Sequence, residues 1–206
     1  MAWMERNLQK RKDGRNIVHG ARTVIILAFN YFTTNDYDCR MPKSGRLSRF
    51  AWGTDYHEIL LPKLKIISEE IKILYPGAVT REYVDTGPVL ERQWAVRAGI
   101  GWQGKNGCIL NKEYGSYFFL GTVITDANFE PDMPQSDHCG KCTACIDACP
   151  TGAIVSPKVI DSRKCLGYWT VEAKHNNEFP ANIQKKQSRA LFGCDICQEV
   201  CPWNKK

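Results

Sequence analysis

Eight of the ten cysteines share one spacing pattern near the C-terminus, and this pattern constrains the chain more than any other feature. The first run, Cys139 to Cys149, reads Cys-x-x-Cys-x-x-Cys-x-x-x-Cys and is closed by a proline. The second set contains Cys165 and then a run from Cys194 to Cys201, which is again closed by a proline. Eight closely spaced thiols predict that this segment folds around metal.

The pattern is typical of bacterial ferredoxin segments that bind two [4Fe–4S] clusters, in which the last cysteine of each run binds the other cluster. We therefore assign two quartets. The cluster-one cysteines are Cys139, Cys142, Cys145 and Cys201, and the cluster-two cysteines are Cys149, Cys165, Cys194 and Cys197. Structural zinc also uses paired Cys-x-x-Cys motifs. The third cysteine in each run and the two Cys-Pro endings favour iron–sulfur clusters over zinc.

The remaining composition indicates a globular protein in a reducing compartment. The chain has 206 residues, of which 43% are hydrophobic and 24% are charged, enough for one ordinary domain and a small one. Cluster spacing favours the cytoplasm over an oxidising compartment. We expect no signal peptide, because the first residues run straight into charged ones, and the apolar runs Thr23–Phe29 and Tyr117–Thr125 are too short to span a membrane. The net charge of +6 fits a nucleic-acid partner or an ordinary solvated surface.

Periodicity predicts an α+β fold, because strands and helices follow one another without regular alternation. Strands are predicted at Thr23–Tyr31, Val79–Val84 and Ser116–Thr125, and helices at Asp55–Tyr75 and Pro88–Ala98. We expect Pro62 near the first turns of the long helix or at a kink, and Pro88 at the start of the short one. Residues 32–53 and 99–107 are predicted loops, and residues 126–138 a linker.

Two motif matches lack the context that they need. The stretch Gly99–Gly104 matches the dinucleotide pattern Gly-x-Gly-x-x-Gly, but it follows a predicted helix instead of a strand. The same stretch approaches a P-loop, but Asn106 replaces the magnesium-binding hydroxyl. The glycines still allow close backbone approach to a flat or anionic ligand, with Lys105 adding charge; a plain tight turn explains them equally well.

The residues alone leave the roles of three other positions undecided. Asp85 lies between a predicted strand and a predicted helix, where periodicity favours a helix cap over a site residue. Cys39 and Cys108 lie outside both quartets and are predicted to be ordinary small side chains.

Together, six segments resemble the epoxyqueuosine reductase family. They are Gly45–His57, Val84–Arg92, Gly101–Asn106, Gly115–Gly121, Cys139–Ile154 and Phe192–Asn204. The resemblance covers nearly the whole chain. It implies a nitroreductase-like, reductive-dehalogenase-like cobalamin domain in residues 1–137, followed by a small ferredoxin-like domain with two [4Fe–4S] clusters in residues 138–206.

The resemblance also implies a reaction and its residues. Epoxyqueuosine at the wobble position of tRNA would be reduced to queuosine, with base-off cobalamin fed by the two clusters. Asp85 would be the proton donor, in a partly desolvated site. The expected corrin contacts are Arg49, Lys105, Asn106 and Gly193. The expected partners are the tRNA anticodon arm and a low-potential electron donor, and we expect a cytoplasmic monomer.

The chain departs from the family pattern in several places. Residues before the equivalent of Trp3 and a C-terminal helical-repeat domain are expected to be missing, and Gly167 and Trp169 replace the usual serine and leucine. Two other functions remain open. The chain could be a two-cluster electron-transfer module with a degenerate first domain, or a corrinoid reductase that acts on a small molecule.

Overall fold

A central eight-residue strand, β6 (Phe118–Thr125), organises the first part of the molecule. The structure is a computed structural model that describes residues 5–33, 45–173, 178–187 and 189–205. Within it the chain divides into two units of dense internal contacts. The first comprises Met1–Asn30, Thr54–Trp102 and Phe118–Ser136, and the second comprises Tyr31–Gly53, Gln103–Tyr117 and Asp137–Lys206.

The first unit is a three-stranded antiparallel sheet with helices. Its strands lie in the order β1 (Thr23–Asn30), β6, β3 (Thr80–Tyr83). Thr125 of β6 lies opposite Thr23 of β1 and Thr80 of β3. The elements are α1 (Leu8–Lys12), β1 (Thr23–Asn30), α2 (Tyr56–Leu74), β3 (Thr80–Tyr83), α3 (Glu91–Arg97) and β6 (Phe118–Thr125), with a 3₁₀ turn at Gly14–Asn16.

The core of the first unit forms where α2 packs on β6. Leu64 is fully buried, and a Cβ atom added at Gly121 would lie only 2.9 Å from its side chain. Gly121 therefore lets the helix approach the sheet closely. Asp55 caps α2 by accepting a hydrogen bond from the His57 backbone N–H at 2.9 Å. Pro62 lies inside this 19-residue helix.

The second unit is built from short elements that hold the cysteine loops. They are β2 (Arg46–Leu47), β5 (Ile109–Leu110), α4 (Ala144–Asp147), β7 (Ile154–Ser156), β8 (Val159–Ile160), α5 (Ala181–Gln184), β9 (Ala190–Phe192) and α6 (Ile196–Glu199). Single helical turns occur at Arg49–Ala51, Ser162–Lys164, Tyr168–Glu172 and Pro202–Asn204. Strand β4 (Trp102–Gln103) lies where the chain passes from the first unit to the second.

Strand β2 pairs in parallel with β9, although about 140 residues separate them, and β7 pairs with β8 as an antiparallel hairpin. The second unit therefore recruits Tyr31–Gly53 and Gln103–Tyr117 as well as the cysteine segment. The predicted division after residue 137 lies one residue from a change of unit, but it assigns the segments Tyr31–Gly53 and Gln103–Tyr117 to the first domain. Independent domains at 1–137 and 138–206 stay a prediction.

The predicted strands and the long helix occur, with ends shifted by at most two residues. The predicted loop at 32–53 is wrong where the structure describes it, because it contains β2 and a 3₁₀ turn; residues 34–44 lie outside the described ranges. The short helix begins at Glu91 and not at Pro88. No helix within the described ranges is long and apolar enough to cross a membrane.

Leu64→Ala should lower the free energy of unfolding by about 2–5 kcal/mol, because it opens a cavity in a fully buried site beneath the sheet. Urea unfolding followed by circular dichroism measures this change. The matched control is Ile66→Ala on the same helix, where the side chain is 63% exposed and the expected change is within about 0.5 kcal/mol. Equal effects of the two variants would contradict this description of the core.

Candidate metal centres and catalytic carboxylate

The cluster-one cysteines come together in the second unit. Burial raises the pKa of the Cys145 thiol, and the thiols of Cys201, Cys139 and Cys142 raise it further. These four side chains also line one pocket. Cys201, which is 8% exposed, thus joins the three cysteines of the earlier run although its sequence neighbours belong elsewhere.

The cluster-two cysteines form a second group in the same unit. Burial raises the pKa of Cys194, and Cys165, Asp195 and Cys149 add to the increase. Cys197 is held far above its ordinary pKa, first by burial and then by Cys108, Cys194, Cys165 and Cys145. Members of each predicted quartet thus lie near one another in the second unit. The assignment of individual cysteines to the two clusters, including the exchange of Cys149 and Cys201 between the runs, stays a prediction.

Cys149 has a different environment from the other thiols. Burial acts to raise its pKa, but hydrogen bonds hold the pKa below its ordinary value. The Ala153 N–H donates to its sulfur at 3.2 Å, and the Thr151 hydroxyl lies 3.6 Å from it. Hydrogen bonds to sulfur stabilise a thiolate and tune the potential of the cluster that it binds.

The donor set fits iron–sulfur clusters. Thiols that burial and mutual repulsion keep protonated become stable thiolates beside a cationic metal group. Among the described residues, no three His, Cys, Asp or Glu side chains are placed to hold a single metal ion. A four-iron cluster has no such requirement, because each thiolate binds a different iron.

Lys105 and Asn106, two of the predicted corrin contacts, bind the cysteine loops. The Lys105 ammonium donates to the carbonyls of Gly140 and Cys142, both at 2.8 Å. The Asn106 amide is 7% exposed; it donates to the Cys197 carbonyl at 3.2 Å and accepts from the Cys108 N–H at 3.1 Å. Both side chains line the cluster-one pocket. Their observed partners are therefore loop backbone groups, and a corrin contact stays a prediction.

Arg49 and Gly193 lie elsewhere in the second unit. The Arg49 guanidinium carbon lies 4.8 Å from the ring centroid of Trp52 and 5.2 Å from that of Phe32, and its Nη1 donates to Thr33 O at 3.0 Å. Its Nε is buried and finds no hydrogen-bond acceptor within the described residues. Gly193 has a φ of +73°, and an added Cβ would lie 2.3 Å from Ser48.

Asp85, in the first unit, does not cap a helix, so the capping interpretation is wrong. It lies between β3 and α3 with a φ of +62°, a backbone conformation uncommon for residues other than glycine, whereas Leu90 is the cap of α3. Its Oδ2 accepts a hydrogen bond from the Tyr56 hydroxyl at 2.9 Å. The carboxyl is exposed in this structure, in contrast to the expected partly desolvated acid.

Two residues near Asp85 were missed by the sequence analysis. Tyr56 begins α2, and its ring stacks on Phe119 with a centroid separation of 4.0 Å. Glu91 begins α3; burial raises its pKa to about 7, a backbone hydrogen bond partly offsets this, and the charge of Asp85 adds to it. The Oε1 atom of Glu91 is buried and has no hydrogen-bond partner within the described ranges.

Asp195 was also missed, although it stands between two cysteines of one run. It is 9% exposed and accepts hydrogen bonds from the Ser48 hydroxyl, from the Arg49 N–H at 2.7 Å and from Gln198 Nε2 at 3.2 Å. Its position beside Cys194 was a visible signal, but partners almost 150 residues away could not be read from spacing. Cys108 lies close enough to raise the pKa of Cys197, and Cys39 lies outside the described residues.

These two quartets define an iron–sulfur protein with two four-iron clusters, and comparison with known proteins agrees. Residues 138–204 match the family model of the 4Fe-4S double cluster binding domain. Residues 11–86 match a second model, described as epoxyqueuosine reductase QueG, DUF1730.

A curated relative and two solved structures extend the match over the chain. The epoxyqueuosine reductase of Synechocystis is 45% identical over 206 residues, which are all of this chain and 70% of that protein. An epoxyqueuosine reductase in complex with an epoxyqueuosine-modified tRNA-Tyr stem loop is 37% identical, with a TM-score of 0.86 over 97% of this chain and 53% of that one. The Bacillus subtilis epoxyqueuosine reductase, solved with its catalytic aspartate loop swung out of the active site, is 36% identical over the same shares, also with a TM-score of 0.86.

The chain belongs to the epoxyqueuosine reductase family. It spans about half the length of the solved relatives that it matches.

Reconstituted anaerobically, the chain should hold about eight irons and eight acid-labile sulfides, from two four-iron clusters. Cys201→Ser should reduce the count to about four, because the structure places Cys201 with Cys139, Cys142 and Cys145. Iron and sulfide analysis measures the change. Cys108→Ser, a nearby cysteine outside both quartets, should retain the full count. A fully folded protein that holds only zinc would contradict both expectations.

Glu91 should make stability depend on pH. The folded-state pKa of Glu91, about 7, exceeds the ordinary value of 4.5, so the folded protein holds the Glu91 proton more tightly than the unfolded chain does. The resulting contribution to the free energy of unfolding is complete below pH 4.5 and is lost as the pH rises through 7. The free energy of unfolding should therefore fall by on the order of 1 kcal/mol per pH unit between those limits. Glu91→Gln should flatten this dependence in urea unfolding. Glu58→Gln, an exposed change in the same unit, should leave it unaltered.

Proposed function

We propose that this chain carries out the reaction for which its relatives are named, the reduction of epoxyqueuosine in tRNA to queuosine. Removing the epoxide oxygen as water consumes two electrons and two protons. The observation that carries the proposal is that the chain supplies groups for both needs. The second unit holds two cysteine quartets for electron relay, and the first unit holds Asp85 bonded to Tyr56 on a sharply turned loop.

We propose Asp85 as the group that delivers a proton to the departing oxygen. The Tyr56 hydroxyl, fixed by stacking on Phe119, holds one carboxyl oxygen at 2.9 Å. The other oxygen remains available to a substrate. Because the carboxyl is exposed in this structure, we infer that a bound nucleotide supplies the desolvation that favours its protonated form.

The cofactor expected from the resemblance is cobalamin, and Arg49 is the residue that fits it best. Its buried Nε has no partner among the described residues, and its guanidinium lies against the rings of Trp52 and Phe32. Such a group can donate to a side-chain amide of a corrin. When bound, cobalamin would supply two-electron reduction at its cobalt. A nitroreductase-like fold stays a prediction. Corrin contacts by Lys105, Asn106 and Gly193 stay predictions as well.

Transfer RNA is the proposed partner because a relative was solved with a modified tRNA stem loop. The net charge of +6 is compatible with phosphate contacts. The low-potential electron donor, the monomeric state and the cytoplasmic location expected from the sequence stay predictions.

The test is anaerobic turnover of an anticodon stem-loop that contains epoxyqueuosine, with added cobalamin and a chemical low-potential reductant. Mass spectrometry of the released nucleosides detects queuosine. Turnover that requires cobalamin supports the proposal. Intact clusters with no corrin binding and no turnover would instead favour an electron-transfer module. The complete quartets of the second unit fit that function as well as they fit the proposed reaction.

Asp85→Asn should lower turnover by about 10²- to 10⁴-fold, because it removes the transferable proton while retaining shape and a hydrogen-bonding oxygen. Iron content and the visible spectrum should not change. Asp132→Asn, at an exposed position of the same unit, should turn over like the parent. If the Asp85 variant also matches the parent, the proton comes from another group.

A further inference from the structure

A lysine ammonium is held against the loop of cluster one. Lys105 Nζ donates to Gly140 O and Cys142 O at 2.8 Å, and the side chain lines the same pocket as the four cluster-one cysteines. Both acceptors are neutral carbonyls. No carboxylate in the described part of the chain lies within ion-pair distance of this ammonium, so its charge is not cancelled locally.

A hydrogen bond connects Lys105 to Lys158, and Lys158 in turn pairs with a carboxylate. The Lys105 carbonyl accepts from the Lys158 N–H at 3.0 Å, and the Lys158 ammonium pairs with Asp137 at 2.6 Å. Asp137 in turn accepts from the Cys139 N–H at 2.8 Å. Asp137 is thus matched by Lys158, and Lys105 adds a positive charge next to this loop, which also carries the exposed Lys141.

Cluster two has an acidic neighbour instead of a basic one. Asp195 directly follows Cys194, is 9% exposed and accepts three hydrogen bonds, from the Ser48 hydroxyl, the Arg49 N–H and Gln198 Nε2. All three partners donate hydrogen bonds to its oxygens, an arrangement that suits a carboxylate. No Lys, Arg or His side chain of the described ranges forms an ion pair with it, and the Arg49 guanidinium is directed to Thr33 O.

The sign of each charge determines whether it favours or opposes reduction of the nearby cluster. Reduction adds one negative charge to a four-iron cluster, so a nearby cation favours the reduced form and a nearby anion opposes it. Asp195 is 9% exposed, so water and salt screen its charge little, whereas the ammonium contacts of Lys105 are exposed and its effect should weaken as the salt concentration rises. Lys105 therefore raises the potential of cluster one, and Asp195 lowers that of cluster two.

We propose that Lys105 and Asp195 separate the reduction potentials of the two clusters, so that the first electron accepted by the protein resides on cluster one and cluster two is the stronger reductant. Each step moves one electron from the external reductant to one cluster, from the 2+ to the 1+ state. The separation depends on the two clusters alone. Its use to drive substrate reduction rests on the proposed function.

The test is stepwise reduction of the reconstituted protein with dithionite, followed by electron paramagnetic resonance at controlled potential. The parent should show two separate one-electron steps. Lys105→Met should lower only the higher step, with at least a tenfold loss in the ratio of reduced to oxidised cluster one at a fixed potential, equivalent to about 59 mV. Asp195→Asn should raise only the lower step.

Controls separate charge from loop structure. Lys105→Arg retains the charge and should leave the higher step in place, and Lys141→Met, which removes an exposed lysine from the same loop, should leave both steps in place. If Lys105→Met loses iron, the proposal is tested by the shift of the lower step in Asp195→Asn. A single unresolved step in the parent, or variants that leave both steps unmoved, would overturn the proposal. Neither result depends on turnover, so failure here is distinguishable from failure of the proposed reaction.

Discussion

Deprotonation of eight closely spaced thiols is the requirement on which the second unit depends. Burial and mutual repulsion raise the pKa values of Cys145, Cys194, Cys197 and Cys201. Without a compensating positive charge these groups would stay protonated, because a buried anion is costly. Iron supplies that charge. Folding of these loops is therefore expected to be linked to cluster assembly, as in other small metal-binding folds.

A second requirement, hydrogen bonds for the loop backbone, explains why distant segments join the cysteine loops. The loops contain few apolar residues, and their backbone groups need hydrogen-bond partners. Asn106 donates to Cys197 O, and the Lys105 ammonium donates to Gly140 O and Cys142 O. Asp195 holds the Ser48 hydroxyl and the Arg49 N–H. The excursions at residues 31–53 and 103–117 thus contribute to the iron–sulfur unit, although they lie far from its cysteines in sequence.

In the first unit, a rigid scaffold supports a sharply turned loop. The close packing of Leu64 on Gly121 fixes α2 against the sheet, and α2 in turn positions Tyr56. Asp85 is held at a positive φ between β3 and α3, where its carboxyl reaches the Tyr56 hydroxyl. Catalytic groups are often placed in such strained turns on a well-packed scaffold. The buried carboxyl of Glu91 adds a titratable group to the start of the next helix.

The sequence by itself determined the chemistry of the metal sites and the main elements of the sheet. Spacing predicted both cysteine quartets because thiolates a few residues apart can reach neighbouring irons, and periodicity located the strands and the long helix because each repeats over many residues. Only the tertiary structure decided what surrounds them. Lys105 binds the cluster-one loop, and Asp195 binds Ser48 and Arg49. The N-cap of α3 is Leu90 and not Asp85. Hydrogen bonds between residues far apart in the chain depend on the path of the backbone, and no local pattern records that path.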